Sequence, residues 1–355
     1  MKQIFNLLFL VIFLCTGTKA FSYAQSEWKL YNLFLDNHYQ NGMILQYTPE
    51  GQSYISTEGM SYGMFFALVN KDKEKFDQIL EKTLQILVQN NFIEQTLKSN
   101  ISAEPQRAEA STASELFIAY DLLLAYELYE DNKYLEYAKN ILGRVSKNNI
   151  VHSSALGDLL LPGVSGFRNN HEFIITPAAL PPFVMEKISK YAPKFKELYH
   201  NTLQSIVRGS GDGYVADALT FNYQSDFIVK STTVGTELGA KYYLWLGITS
   251  NADHNRKILL PLYDNITVKT NTDRFSPKLA NLYYHTTEGN GNVIYDACML
   301  PLSEGKIKDY LRTRLKVYHF DKKDFIPLVM TMFATGNDER RFELKKDGSL
   351  YTETR

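Results

Sequence analysis

Cysteine is almost absent: 355 residues hold only Cys15 and Cys298. No internal disulfide framework and no cysteine-rich metal knuckle can be built from that pair. Tryptophan is equally scarce, with Trp28 and Trp245 set against 24 Tyr and 21 Phe. A surplus of either charge is missing too. Lys plus Arg number 38 and Asp plus Glu 39, a formal net of -1, so no basic stripe points to nucleic acid and no acidic run to a disordered tail. The seven His residues lie scattered, without the paired spacing of a metal site. "GNGN" at 289–292 reads as a turn before a helix, not a phosphate loop, and no Gly-x-Ser-x-Gly elbow supports serine hydrolase chemistry. Nothing in the sequence points to a metal or an organic cofactor.

The chain begins "MKQIFNLLFLVIFLCTGTKAFSYAQ", with Lys2 ahead of an apolar run from Ile4 to Cys15. That run is shorter than the roughly 20 residues a membrane helix needs. It predicts a secretory signal over residues 1–24, cleaved after Ala20 or Ala24, and a periplasmic or secreted protein. The bulky Leu14 before Cys15 argues against a lipoprotein. Export leaves Cys298 as the single cysteine, so stability must come from the core. With 45% hydrophobic residues the core is large enough. No Pro/Ser-rich linker and no fixed-period repeat divides residues 25–355, which are read as one domain. A monomer is the default expectation.

What fills that domain is helical periodicity. Tyr62, Phe65, Phe66 and Val69 form one apolar stripe, and Phe76, Ile79, Leu80, Leu84 and Leu87 another. Further helical stretches run from "TASELFIAYDLLLAYELY" to "FIPLVMTMFATG", with "NRKILLPLYDNI" and "SPKLANLYYH" among them. About a dozen helices follow, joined by short turns rich in Gly, Asn and Pro. Strand signals are weak; "QYTPEGQSYIS" and "GYVADALTFNYQSDFIV" read as short hairpins. A dozen helices without a linker fit a closed double ring, six inside and six outside, with a two-domain bundle as the rival.

One carboxylate stands out in "YISTEGMSYGMFFALVNKDKEKFD". Glu58 lies four residues before Tyr62 and so continues the inward stripe at the start of a helix. A Glu in a first helical turn also simply suits the helix dipole, which lowers its pKa. An acid would need burial or a second carboxylate to raise it.

The segment "TEGMSYGMFFALVNKDKEKFD" resembles the acid-bearing stretch of glycoside hydrolase family 8, in the branch of periplasmic endoglucanases encoded with bacterial cellulose synthases. The likeness continues, in order, as "STASELFIAYDLLLA", "LGDLLLPGVSGF", "TPAALPPF", "GTELGAKYYLWLGI", "GNGNVIYDACMLPL" and "TMFATGNDERRFELKKDGSL", over roughly residues 28–350. The resemblance implies an all-α fold, an (α/α)6 barrel with minor β-hairpins, and inverting endo-hydrolysis of β-1,4-glucan. It also implies a polysaccharide substrate and association with a cellulose or exopolysaccharide secretion complex. Inverting chemistry sets a protonated carboxyl and a water-activating carboxylate about 6.5–9.5 Å apart. By resemblance Glu58 is the acid.

The other carboxylates depart from the family pattern. Ala113 stands where the family carries an Asp, with Glu115 two positions on; Thr112 to Glu115 also reads as a capping box. At the base position stands Leu238, which shares an inward face with Val234, Tyr242 and Trp245. Glu237 is a candidate substitute, although its spacing from Lys241 suits an ordinary surface ion pair. Asp296, interrupting the apolar "VIYDACMLPL", is either hydrogen-bonded structurally or a relocated base. Tyr62 and Tyr295 are candidate sugar platforms or core residues. Ala179 and Ala218 replace aromatics the family carries, and both Trp fall at scaffold positions. A catalytically silent, polysaccharide-binding relative is the alternative function, and a structural helical ring without a sugar partner a third.

Overall fold

Two kinds of helix alternate along the chain, and burial tells them apart. The computed structural model describes residues 27–89, 92–98, 108–109, 111–209, 215–224, 227–228, 233–249, 279–281, 286–288 and 292–352. The first kind is apolar on every side: α2 (Thr57–Val69), α4 (Thr112–Tyr129), α8 (Glu237–Ile248), α9 (Val293–Met299) and α11 (Phe325–Asp338), with α6 (Pro182–Tyr191) close to it. Every residue of α9 is buried, and every residue of α2 except Glu58. A helix of that composition must be surrounded. The second kind is amphipathic: α1 (Lys29–His38), α3 (Lys73–Lys82), α5 (Asn132–Asn148), α7 (Lys194–Gly209) and α10 (Gly305–Val317). In α3 only Phe76, Ile79 and Leu80 are buried, while its Lys and Glu residues face water.

The all-round apolar helices form the inner ring. α2 packs on α4, α4 on α6, α6 on α8, α8 on α9 and α9 on α11. The circle closes where Phe65 and Phe66 of α2 meet Phe333 of α11, with ring centroids 5.0 and 4.8 Å apart. The amphipathic helices lie outside, α3 on α2, α5 on α4, α7 on α6, α10 on α9 and α1 on α11. This is the (α/α)6 barrel; six inner and five outer helices fall among the described residues. Its axis is filled by aromatic rings. Phe333 touches Trp245 at 5.1 Å and Tyr62 at 5.5 Å, and Tyr62 meets Phe117 edge-on at 5.4 Å. Such rings contribute about 1.5–3 kcal/mol each by burial and about 0.5–1.5 kcal/mol per pair by geometry.

Short antiparallel strands sit between the helices. Met43–Tyr47 pairs with Ser53–Ser56 in the expected hairpin, and Leu219–Asn222 with Phe227–Ile228 in the second. The strand Ser53–Ser56 runs straight into α2, where the Ser56 side chain accepts from the Gly59 N–H at 3.0 Å. Ile150–Ser153 with Gly157–Leu160, and Glu172–Ile175 against Leu219–Asn222, were not anticipated. "SPKLANLYYH" needs correction: its Leu279–Asn281 is a strand between Val234–Gly235 and Thr286–Glu288, because sheet partners on both sides outweigh a helical spacing. The expected helix in "NRKILLPLYDNI" and the signal at residues 1–24 lie outside the described residues. Among the described residues no helix is long and apolar enough to cross a membrane. Cys298 is fully buried, and burial pushes its thiol pKa up.

Candidate active site

The inner helices all begin at one end of the ring, and a cavity of about 460 Å³ opens there. Residues of the first two turns line it: Glu58 and Ser61 from α2, Ala113 and Ser114 from α4, Leu238 and Lys241 from α8, and Ile326 from α11. Pro181, just before α6, adds to the same wall, and Trp245 lies at the floor. Helix N-termini carry partial positive charge, so the end of the ring where they gather favours an anion.

Glu58 is that anion. It is the second residue of α2, and the Ser56 cap fixes the turn that aims it inward. Its side chain is 36% exposed, and its Oε1 accepts from Tyr62 Oη at 2.9 Å and from Lys241 Nζ at 2.9 Å. Burial pushes its carboxyl pKa up, but the Lys241 charge and the two hydrogen bonds outweigh this and leave it below the usual range. Tyr62 in turn is raised well above a normal phenol, first by burial and then by Glu58. The cluster is therefore a carboxylate, an ammonium and a neutral phenol.

Lys241 was missed as a site residue. The sequence reading paired it with Glu237 on the surface, yet it is only 8% exposed and reaches across the cavity to Glu58. The signal was there: 238, 241 and 245 fall on one helical face, and Leu238 and Trp245 were already read as inward. Glu237 instead accepts from the Asn292 side chain at the start of α9.

The start of α8 is held by Asp217. Its Oδ1 accepts from the N–H groups of Thr236 at 2.8 Å and Gly239 at 2.7 Å, and its Oδ2 from the Thr236 hydroxyl at 2.7 Å. A Cβ on Gly239 would stand 2.2 Å from the Val215 carbonyl oxygen, so only glycine permits this approach. The clamp presents Leu238 to the cavity, 40% exposed, where the resemblance expects a carboxylate.

The remaining candidates are placed elsewhere. Asp296 is buried in α9 and pairs with Arg314 of α10 at 2.8 Å, away from the cavity lining. Burial, only partly offset by Arg314, keeps its pKa raised. Glu115 is 5% exposed and accepts from Arg144 of α5 at 2.7 Å. The expected capping box does not form: Ser111 is the cap, accepting from the Ser114 N–H at 3.1 Å, while the Thr112 N–H donates to the Pro162 carbonyl and Glu115 turns to Arg144. Tyr62 contributes its hydroxyl, but its ring is packed among Phe117, Trp245 and Phe333 and is no open platform. Tyr295 is 4% exposed and outside the cavity lining. Ala179 lines the cavity, whereas Ala218 is exposed and does not. The partly exposed aromatics on the cavity wall are Tyr54 and Phe167, both on irregular or strand segments that no periodicity singles out.

The model for glycosyl hydrolases family 8 matches residues 1–339. The chain belongs to that family. An endoglucanase of Escherichia coli O157:H7 is 24% identical over 337 residues, covering 92% of this chain and 91% of its own length. An endoglucanase of Xanthomonas axonopodis pv. citri is 31% identical over 248 residues, 66% of this chain and 63% of its own. Among solved structures, an endo-1,4-D-glucanase from Vibrio fischeri shares the fold with TM-score 0.80 at 24% identity, covering 92% of this chain and 99% of that one. An endo-β-1,4-glucanase from Acetobacter xylinum shares it with TM-score 0.73 at 16% identity, over 87% and 98%. Family 8 membership is thus carried by the whole length of the ring. Ala113 and Leu238, the two positions where the resemblance expects acids, both face the cavity.

Proposed function

We propose that this family 8 protein binds a β-1,4-linked glucan in the Glu58 cavity and has lost efficient hydrolysis of it. One observation carries the reading: among the described residues lining the cavity, Glu58 is the single carboxylate, and a lysine neutralises it. An inverting glycosidase needs a protonated acid and a separate base. Here the acid position is ionised and the base position is a leucine. General-base help is worth about 10²- to 10⁴-fold, so its loss leaves a feeble catalyst. Binding remains well served. Tyr54 and Phe167 offer apolar faces to sugar rings, and the Glu58–Lys241 pair offers an acceptor and a donor to their hydroxyls.

A second reading keeps the family's chemistry, with Glu58 as acid and Glu237 as base in endo-acting hydrolysis. Glu237 favours it as the carboxylate next in sequence to Leu238, which lines the cavity, although its own side chain is outside the lining and accepts from Asn292. Isothermal calorimetry with cellohexaose and reducing-sugar release from soluble β-glucan separate the two. The expected result is measurable binding with release about a hundredfold or more below a two-carboxylate endoglucanase. Release at ordinary endoglucanase rates that Glu58→Gln abolishes would overturn the binding reading; absence of cellohexaose binding would remove the glucan. The same proposal places the mature chain, one domain from residue 25, outside the cytoplasm as a monomer beside a polysaccharide secretion complex. The apolar N-terminal run supports export.

A further inference from the structure

Lys241 lines the cavity, three residues after Leu238 on α8 and 2.9 Å from Glu58. Residues at that spacing are neighbours on a helix surface, about 5–6 Å apart at Cβ. An acidic side chain at position 238 would therefore compete with Glu58 for the same ammonium. Leucine cannot compete. The groups facing the pair are few: Tyr62 from α2 donates to Glu58, Tyr54 from the preceding strand stands near it, and the buried Cys298 of α9 faces Lys241. Glu237, the one carboxylate of the α8 first turn, is engaged by Asn292.

We propose that Lys241 is a positioning residue that ties the charge of Glu58 to the side chain at position 238. With leucine at 238, the ammonium rests on Glu58 and holds it as a carboxylate, which can accept a hydrogen bond from a sugar hydroxyl but cannot hand a proton to a glycosidic oxygen. With an acidic side chain at 238, Lys241 divides its charge between that side chain, about one turn back on α8, and Glu58 of α2, and Glu58 regains its proton more readily. One exchange at position 238 then removes two functions, the base directly and the acid through Lys241. This deepens the binding reading of the cavity, yet its test needs no glycan, so either can fail alone.

The experiment is a carboxyl-carbon NMR titration of the Glu58 side chain in protein labelled at Glu, with Glu58→Gln for assignment. Lys241→Met is expected to raise the Glu58 midpoint by about one pH unit or more. Lys241→Arg, which keeps the charge, should leave it near the wild-type value. Leu238→Asp should raise it as well, and by more when Lys241 is present than in the Leu238→Asp/Lys241→Met background. An unchanged midpoint in Lys241→Met would overturn the proposal. So would equal shifts from Leu238→Asp with and without Lys241, because direct repulsion between carboxylates would then suffice. If Lys241→Met does not fold, Lys241→Gln supplies the neutral variant.

Discussion

The decisive changes are single side chains. Leu238 is correctly oriented and chemically inert: the Asp217 clamp aims it at the cavity, and its hydrocarbon side chain can neither take nor give a proton. Leu238→Asp is therefore expected to gain reducing-sugar release by about tenfold or more over wild type, a gain that Glu58→Gln in the same background removes. A Leu238→Asp variant with no gain would mean that the cavity lacks more than a base. Part of this site was readable from sequence. The Glu58 stripe and the inward face of Leu238 follow from helical spacing, which reports direction well. Spacing says nothing about reach. Lys241 spans the cavity on a flexible stem, so its pairing with Glu58 depends on two segments far apart in the chain. Asp296 shows the converse: its misfit in an apolar run was visible, but Arg314, which answers it, sits on a different helix.

At the scale of elements, the ring was legible because the inner helices are apolar all round and the outer ones along one stripe. The strands were less so, since Leu279–Asn281 and Glu172–Ile175 are three or four residues long and take their conformation from partners distant in sequence. The element on which the site turns is α8, whose first turn is fixed from outside by Asp217 and by the close approach of the Val215 carbonyl to Gly239. Gly239→Ala must push that carbonyl away or tilt the helix. A loss of about 1–3 kcal/mol in unfolding free energy is expected, as for other overpacked sites, together with weaker cellohexaose binding. Denaturant titration and calorimetry would check both, and a variant with wild-type stability would show that the loop at 215 yields without cost.

For the molecule as a whole, one group that bears on pH dependence lies away from the cavity. Asp121 of α4 is fully buried, neither of its oxygens has a hydrogen-bond partner among the described residues, and burial raises its pKa well above the usual carboxylate range. The folded state therefore keeps a proton that the unfolded chain releases above about pH 4. Where the unfolded state binds fewer protons, stability falls as pH rises, so Asp121 penalises the fold increasingly toward neutral pH. Asp121→Asn should be more stable than wild type at pH 7, with the difference growing by up to about 1.4 kcal/mol per pH unit above pH 4. Denaturation curves from pH 4 to 8 would test this, and a constant difference would mean that the carboxyl has found relief. The aromatic rings that stop the barrel axis carry a last consequence. With Phe333 and Trp245 beneath it, the hollow is a cup rather than a tube. A long strand has nowhere to thread and must cross the lip, its two ends continuing outward on either side. Capture of that kind counts segments instead of chain ends, so the quantity of protein a polymer takes up should follow its total contour length and be indifferent to how many molecules that length is cut into.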